Sequence, residues 1–150
     1  MTRVRPVTHA DAAAWLAMRD ALWPEEGEKS HRAEIARFLA GELKTLLAAL
    51  VVEDRGTLLG FAELNIRPYA EGCNTDRVGF LEGWYVVPEA RRRGIGRALV
   101  AAAEDWARAQ GCTEFASDAL LENDISATAH RALGFEEVEC IRCFRKALDP

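Results

Sequence analysis

The chain has 150 residues, 49% of them hydrophobic and 29% charged, and a formal net charge of −5. That length suits a single domain with a buried core, and the acidic balance argues against nucleic-acid binding, which needs basic surface. No apolar run is long enough to cross a membrane, and Met1-Thr2-Arg3-Val4-Arg5-Pro6 lacks the apolar stretch of a signal peptide, so a cytoplasmic protein without membrane partners is expected.

Arg3–Val7 reads as a short strand, and Thr8-His9-Ala10-Asp11 as a helix start of capping-box type. Behind it Trp15, Met18, Arg19 and Leu22 recur at helical spacing until Pro24. A second helix is predicted from about Ser30 to Leu43, with Ile35, Phe38 and Leu39 on one face. The apolar runs Leu46–Asp54 and Thr57–Arg67 meet at Asp54-Arg55-Gly56, a hairpin signal. Pro68–Arg77 is a polar loop carrying Tyr69, and Val78–Val87 is a central strand in which Gly83 suggests a bulge or a close approach. A helix over Arg97–Gln110, a strand over Thr113–Ser117, a short helix over Asn123–Leu133 and a last strand over Val138–Lys146 complete the order β-α-α-β-β-β-α-β-α-β. Without a linker or repeat, residues 1–150 read as one mixed α/β domain.

Cys140-x-x-Cys143 invites a metal or redox reading, but no second close pair accompanies it and His9, His31 and His130 are scattered singly. Residues three apart on a strand also point to opposite faces. All four cysteines therefore read as structural or incidental thiols, and no metal is expected.

The chemistry is written in Arg91-Arg92-Arg93-Gly94-Ile95-Gly96, between an apolar strand and an Ala-rich helix. First-turn N–H groups lack intrahelical partners and the helix dipole is positive there, so the turn suits an anionic phosphate ligand. Glycine lets the backbone turn tightly and a ligand approach without meeting a Cβ. No Lys-Ser/Thr pair follows Gly96, which excludes a P-loop, and Leu99 stands where a dinucleotide fingerprint needs its third glycine.

Arg-x-x-Gly-x-Gly after a strand ending Val86-Val87-Pro88 resembles the pyrophosphate loop of the Gcn5-related N-acetyltransferases (GNAT), which use acetyl-coenzyme A. The element order matches that fold over essentially the whole chain: a mixed, mostly antiparallel sheet with splayed central strands, flanked by helices. The resemblance implies that backbone groups of Trp84, Tyr85 and Val86 hold the pantetheine arm and acetyl carbonyl. It implies that the N–H groups of Arg92, Arg93, Gly94, Ile95, Gly96 and Arg97 hold the pyrophosphate, and that Asn123 contacts the pantetheine. Leu22-Trp23-Pro24, Phe80-Leu81-Glu82-Gly83, Ala116-Ser117-Asp118 with Glu122-Asn123, and Ala132-Leu133-Gly134-Phe135-Glu136-Glu137 are similar to the aminoglycoside 6′-N-acetyltransferases, a resistance subgroup. That similarity implies aminoglycoside contacts from Trp23, Tyr69, Glu82, Asp118 and Glu139, proton removal by Asp118 and Glu82, and a homodimer.

The residues make chemical sense on their own. An amine with a pKa of about 10.4 is almost wholly protonated at neutral pH and has no lone pair with which to attack a thioester, so some group must take its proton. Glu82 and Asp118 are isolated carboxylates in apolar strand contexts, suited to binding a cation and receiving that proton. The recurring acidic residues Glu25, Glu26, Glu71, Asp76, Glu136, Glu137 and Glu139 point to a cationic acceptor. His130 stands where many family members carry a tyrosine that protonates the leaving thiolate. Two other readings share the motifs: an acetyltransferase for another amine (polyamine, amino acid or protein side chain), and a noncatalytic acetyl-coenzyme A binding module.

Overall fold

Ala49, Leu50, Val51 and Val52 are consecutively buried. Successive strand side chains alternate between faces, so the strand holding these residues is covered on both. Its sheet has five strands in the order β1 (Thr2–Pro6), β2 (Ala48–Asp54), β3 (Thr57–Arg67), β4 (Val78–Val86) and β5 (Phe115–Ser117). All neighbours are antiparallel except β4 and β5. The structure is a computed structural model describing residues 1–150, and it falls into two compact units, Met1–Asp118 and Ala119–Pro150.

In the first unit, one sheet face meets α1 (Ala12–Leu22) and α2 (Glu28–Leu39). Trp15, Met18, Ile35, Leu46, Ala49, Val51 and Phe61 form the core there. The other face carries α3 (Ile95–Ala109), whose Ile95, Leu99, Val100, Ala103 and Ala107 recur at helical spacing and are all buried. Each large apolar side chain so buried contributes about 1.5–3 kcal/mol relative to exposure. The predicted hairpin forms: Arg55 and Gly56 both take positive φ, 52° and 81°, as a two-residue turn between twisted strands requires. The capping box forms too, with the Thr8 N–H donating to Asp11 Oδ2 at 2.7 Å. Arg5 grips the same carboxylate with two nitrogens at 2.7 and 2.9 Å and holds its pKa down to about 2.

β4 carries the irregularity that shapes the site. Its register on β3 runs Leu64↔Leu81 and then Glu63↔Gly83, so Glu82 is the extra, unpaired residue of a bulge. Gly79 faces α3, where an added Cβ would lie 2.8 Å from Ala107 Cβ; Gly83, four residues on, faces Trp23 on the opposite side of the sheet. Simple alternation would put both glycines on one face. The bulge inverts the alternation, setting Gly83 against Trp23 and, one residue later, Trp84 against Gly96 of α3.

The second unit contains α4 (Asp124–Ala132), capped by Asn123, whose Oδ1 accepts the Ser126 N–H at 3.0 Å. The strand predicted over Val138–Lys146 is not formed: residues 135–150 have no regular secondary structure. A strand exists only through its partners, and this segment has none in the single chain; Ile141, Phe144 and Leu148 remain exposed. Cys140 and Cys143 are exposed free thiols in the same segment.

Candidate active site

Trp23 ends α1, and its half-buried indole stacks on His31, meets Phe61 edge-on and carries the Arg19 guanidinium 5.2 Å from its ring centre. His31, fully buried, donates from Nε2 to the Trp23 carbonyl oxygen at 2.9 Å. The indole edge lies over Gly83 so closely that an added Cβ would sit 2.5 Å from Cη2. Trp23, Arg19, Glu26, Glu34, Thr45, Leu46, Glu63 and Glu82 line a cavity of about 190 Å³. Four carboxylates line it against the Arg19 guanidinium, with Arg67 on Glu82 from outside the lining, and the acidic excess favours a cation. Gly83→Ala is expected to push Trp23 aside and raise the acceptor KM by about tenfold, since overpacking of this kind costs about 1–3 kcal/mol. Steady-state kinetics checks it, the KM for the acyl donor staying unchanged.

Glu82, presented by the bulge, is gripped by Arg67 from the end of β3, with Nε on Oε2 at 2.9 Å and Nη2 on Oε1 at 2.6 Å. Asn65 Nδ2 adds a longer bond of 3.4 Å. The Arg67 guanidinium lies 3.6 Å above the Phe80 ring, and the charges of Glu82, Asp118 and Glu71 raise its pKa, the Glu82 hydrogen bonds most of all. Asp118, one residue beyond β5, is exposed and makes no ion pair. Glu82 thus binds the guanidinium directly, and Asp118 acts on it through its charge alone. Tyr69 stands apart, 64% exposed in the loop that Glu114 fastens through the Asn74 and Thr75 N–H groups.

Beneath the cavity lies a polar cluster that motif reading missed. Glu63 and Arg19 are 2% and 4% exposed. Glu63 Oε2 accepts the Trp15 Nε1–H at 2.9 Å and faces Arg19 Nε at 2.9 Å, while Arg19 Nη2 also reaches Glu34 at 3.1 Å. Loss of solvation pushes the Glu63 carboxyl up to about 7, against the pull of Arg19 and Trp15. The signal was present: Glu63 is a lone charge in Leu58-Leu59-Gly60-Phe61-Ala62-Glu63-Leu64, and Arg19 follows Trp15 by four residues on the apolar face of α1.

The opposite end of the site is backbone. β4 and β5 pair only at Gly79–Leu81 with Phe115–Ser117, and past Leu81 that edge of β4 has no strand partner because β5 ends at Ser117. The Val87 N–H bonds the Leu59 carbonyl on β3, so by alternation the Tyr85 backbone also faces β3 while the Trp84 and Val86 backbones face the open edge. Arg91 Nε donates to the Val86 carbonyl there at 2.9 Å. The strand leads into a turn where Arg92 and Gly94 both take positive φ, 63° and 80°, and α3 begins at Ile95. Exposed Arg92 and Arg97 make no ion pair. An unpaired strand edge that leads into a basic helix N-terminus suits an extended ligand with a phosphate end.

The family model for the acetyltransferase (GNAT) family matches residues 15–135. The chain belongs to the GNAT family. It is 58% identical over 146 residues to an aminoglycoside N(6′)-acetyltransferase type 1 of Klebsiella aerogenes, covering 97% of this chain and 96% of that protein. It matches the apo crystal structure of an aminoglycoside antibiotic 6′-N-acetyltransferase from Acinetobacter haemolyticus with a TM-score of 0.90 and 40% identity, over 98% of this chain and 99% of that one. It matches a further enzyme of that kind, solved with the bisubstrate analog CoA-S-monomethyl-acetylneamine, with a TM-score of 0.91 and 36% identity, over 99% of both chains.

Within the GNAT frame, one sequence expectation needs correction, and the structure narrows two others. Gly96 does not leave room for a ligand: an added Cβ would meet the Trp84 indole at 3.1 Å, and Trp84 Nε1 donates to the Gly96 carbonyl at 3.2 Å. Its role is strand-to-helix packing, and Gly94, with open space around it, is the position where the turn needs glycine. The Tyr85 backbone is turned toward β3, which leaves Trp84 and Val86 as the edge residues of that trio. Asn123 commits its carbonyl oxygen to capping α4, leaving its amide nitrogen as the group for a ligand.

His130 and Glu139 belong to the second unit. His130 Nδ1 donates to the Ser126 carbonyl oxygen at 2.7 Å, and its ring meets Phe135 edge-on. That bond ties Nδ1 to the backbone of α4. His130→Phe is expected to leave kcat within about threefold, because a thiol of pKa near 8.5 leaves as thiolate unaided. A drop of a hundredfold in stopped-flow thiol release would overturn this. Glu139 lies exposed in the irregular C-terminal segment.

Proposed function

We propose that this protein transfers the acetyl group of acetyl-coenzyme A to the 6′-amine of aminoglycosides. The observation that carries the reading is the carboxylate-lined cavity whose wall includes Trp23 and Glu82, the latter two residues before Trp84 at the open edge of β4. Acetyl-coenzyme A supplies the activated acyl group; the open Val86 N–H, the Gly94 turn and the α3 N-terminus fit its carbonyl and phosphates. Asp118 and Glu82 hold the acceptor ammonium and take its proton, Trp23 and Tyr69 stack on sugar rings, and Glu139 contributes a further carboxylate. The neutral amine then forms the C–N bond as the C–S bond breaks, directly in a ternary complex. The identity to N(6′)-acetyltransferases supports this acceptor.

A cytoplasmic location suits a reaction that consumes acetyl-coenzyme A, and no helix is long and apolar enough to cross a membrane. The whole chain acts as one acetyltransferase domain. A homodimer suits the exposed apolar residues of the C-terminal segment. The deciding experiment is thiol release from acetyl-coenzyme A with kanamycin, which carries a 6′-amine, and with paromomycin, which carries a 6′-hydroxyl. Turnover with the first alone is expected; turnover with neither overturns the reading.

A further inference from the structure

Arg67 is the feature of this site that acetyl transfer does not call for. A pocket meant to receive an ammonium has its most central carboxylate already occupied: both oxygens of Glu82 are taken by one planar guanidinium, at 2.9 and 2.6 Å. The side chain is held in that pose by stacking 3.6 Å above Phe80. Asp118 and Glu71 act electrostatically on the same guanidinium, so the acidic groups at this end of the site converge on it. The Arg67 side chain is nevertheless 37% exposed, so it can swing into solvent without opening the core.

We propose that Arg67 is a specificity-determining residue: its guanidinium stands in for the acceptor's ammonium on Glu82, and only a polycationic acceptor displaces it. The proposal rests on the acceptor class inferred above. A single ammonium offers Glu82 one point charge in exchange for a bidentate, charge-assisted pair, which is a losing exchange. An acceptor with several ammonium groups also reaches Glu26 and Glu34 in the adjoining cavity and Asp118 beyond Arg67, and these contacts together outweigh the lost pair. The carboxylate is thereby kept neutralised between turnovers and closed to the small monoamines of the cell.

The test compares neamine with a monoamine, 6-amino-6-deoxyglucose, on wild type, Arg67→Met and Arg67→Lys, by titration calorimetry and by thiol release. Arg67→Met keeps an apolar side chain over Phe80 and removes the charge. Its affinity for both acceptors is expected to rise about tenfold, since displacing the fork costs each of them the same, and the monoamine, whose single contact does not repay that cost in wild type, gains measurable thiol release. Arg67→Lys, which keeps a charge without the fork, is expected to fall between. Equal losses for both acceptors would make Arg67 a mere support for Glu82, and unchanged affinity in both variants would also overturn the proposal. Failure of the acceptor class itself reads differently: wild type would then turn over neither compound, while calorimetry would still show whether removing Arg67 strengthens cation binding.

Discussion

Asp118→Asn is expected to lower kcat for a 6′-amino acceptor by about a hundredfold or more at neutral pH, the range by which a positioned general base accelerates proton transfer. Glu82 and Asp118 are the two carboxylates proposed to receive the ammonium, and the structure treats them unequally. Glu82 has both oxygens engaged by Arg67 and a weaker bond from Asn65. Asp118 makes no ion pair and is exposed one residue beyond the end of β5, where the pairing with β4 stops. On the proposed reading Asp118 is therefore the freer proton acceptor and Glu82 the contested one. Asparagine keeps the shape and a hydrogen-bonding oxygen but cannot take a proton, so the loss should fall on kcat with acetyl-coenzyme A binding unchanged.

Glu82→Gln should behave differently. It removes one of the charges holding the acceptor and releases Arg67 from its fork, so its effect should fall mainly on the acceptor KM. The two variants separate in steady-state kinetics with acceptor and acetyl-coenzyme A varied independently. A larger kcat effect at Glu82 than at Asp118 would reverse the assignment and make the Arg67 pair a shuttle for the reacting carboxylate.

Local signals in the chain predicted most of the framework. The Asp54-Arg55-Gly56 turn, the capping box at Thr8 and the apolar face of α3 each rest on interactions a few residues apart, so spacing alone reveals them. Gly83 correctly announced an irregular strand, but which residue is extra depends on pairing with β3, and that residue is Glu82. Gly96 misled because motif spacing does not say where a Cβ would point; only the bulge, by turning Trp84 toward α3, decides it. Tyr85 was assigned by its place in a motif, whereas the ladder dictates which amides face outward. Val138–Lys146 has strand composition without a strand, since β structure needs a partner that composition cannot supply. Arg19 stands out in the sequence only by its helical spacing and Arg67 only as a strand end, because a cation in an acidic protein reads as surface until its partners are seen.

Glu63→Ala is expected to destabilise the protein by about 3–5 kcal/mol, because it strips the main partner from a buried guanidinium. Arg19 is 4% exposed and would keep only Glu34, itself partly in solvent. For a chain of this size that corresponds to roughly 6–20 °C in Tm, read by calorimetry at one pH. Glu63→Gln isolates the proton. The folded carboxyl is raised from 4.5 to about 7 by burial, so the native state binds this proton more tightly than the unfolded chain. Stability from this group is then greatest below pH 4.5, declines as pH rises through 7, and is flat above, a change of about 3 kcal/mol in all. Asp11 works in the other direction at lower pH: held down to about 2, it contributes stability above pH 3.8 that is lost as pH falls through 2. Between pH 5 and 8 Asp11 is silent, and glutamine cannot titrate. The wild-type Tm should therefore fall more steeply than that of Glu63→Gln across this window, by roughly 5–10 °C. Parallel profiles would mean that Arg19 and Trp15 keep Glu63 ionised throughout. The acceptor cavity would then rest on a permanent ion pair instead of a carboxyl that gains its charge near neutral pH.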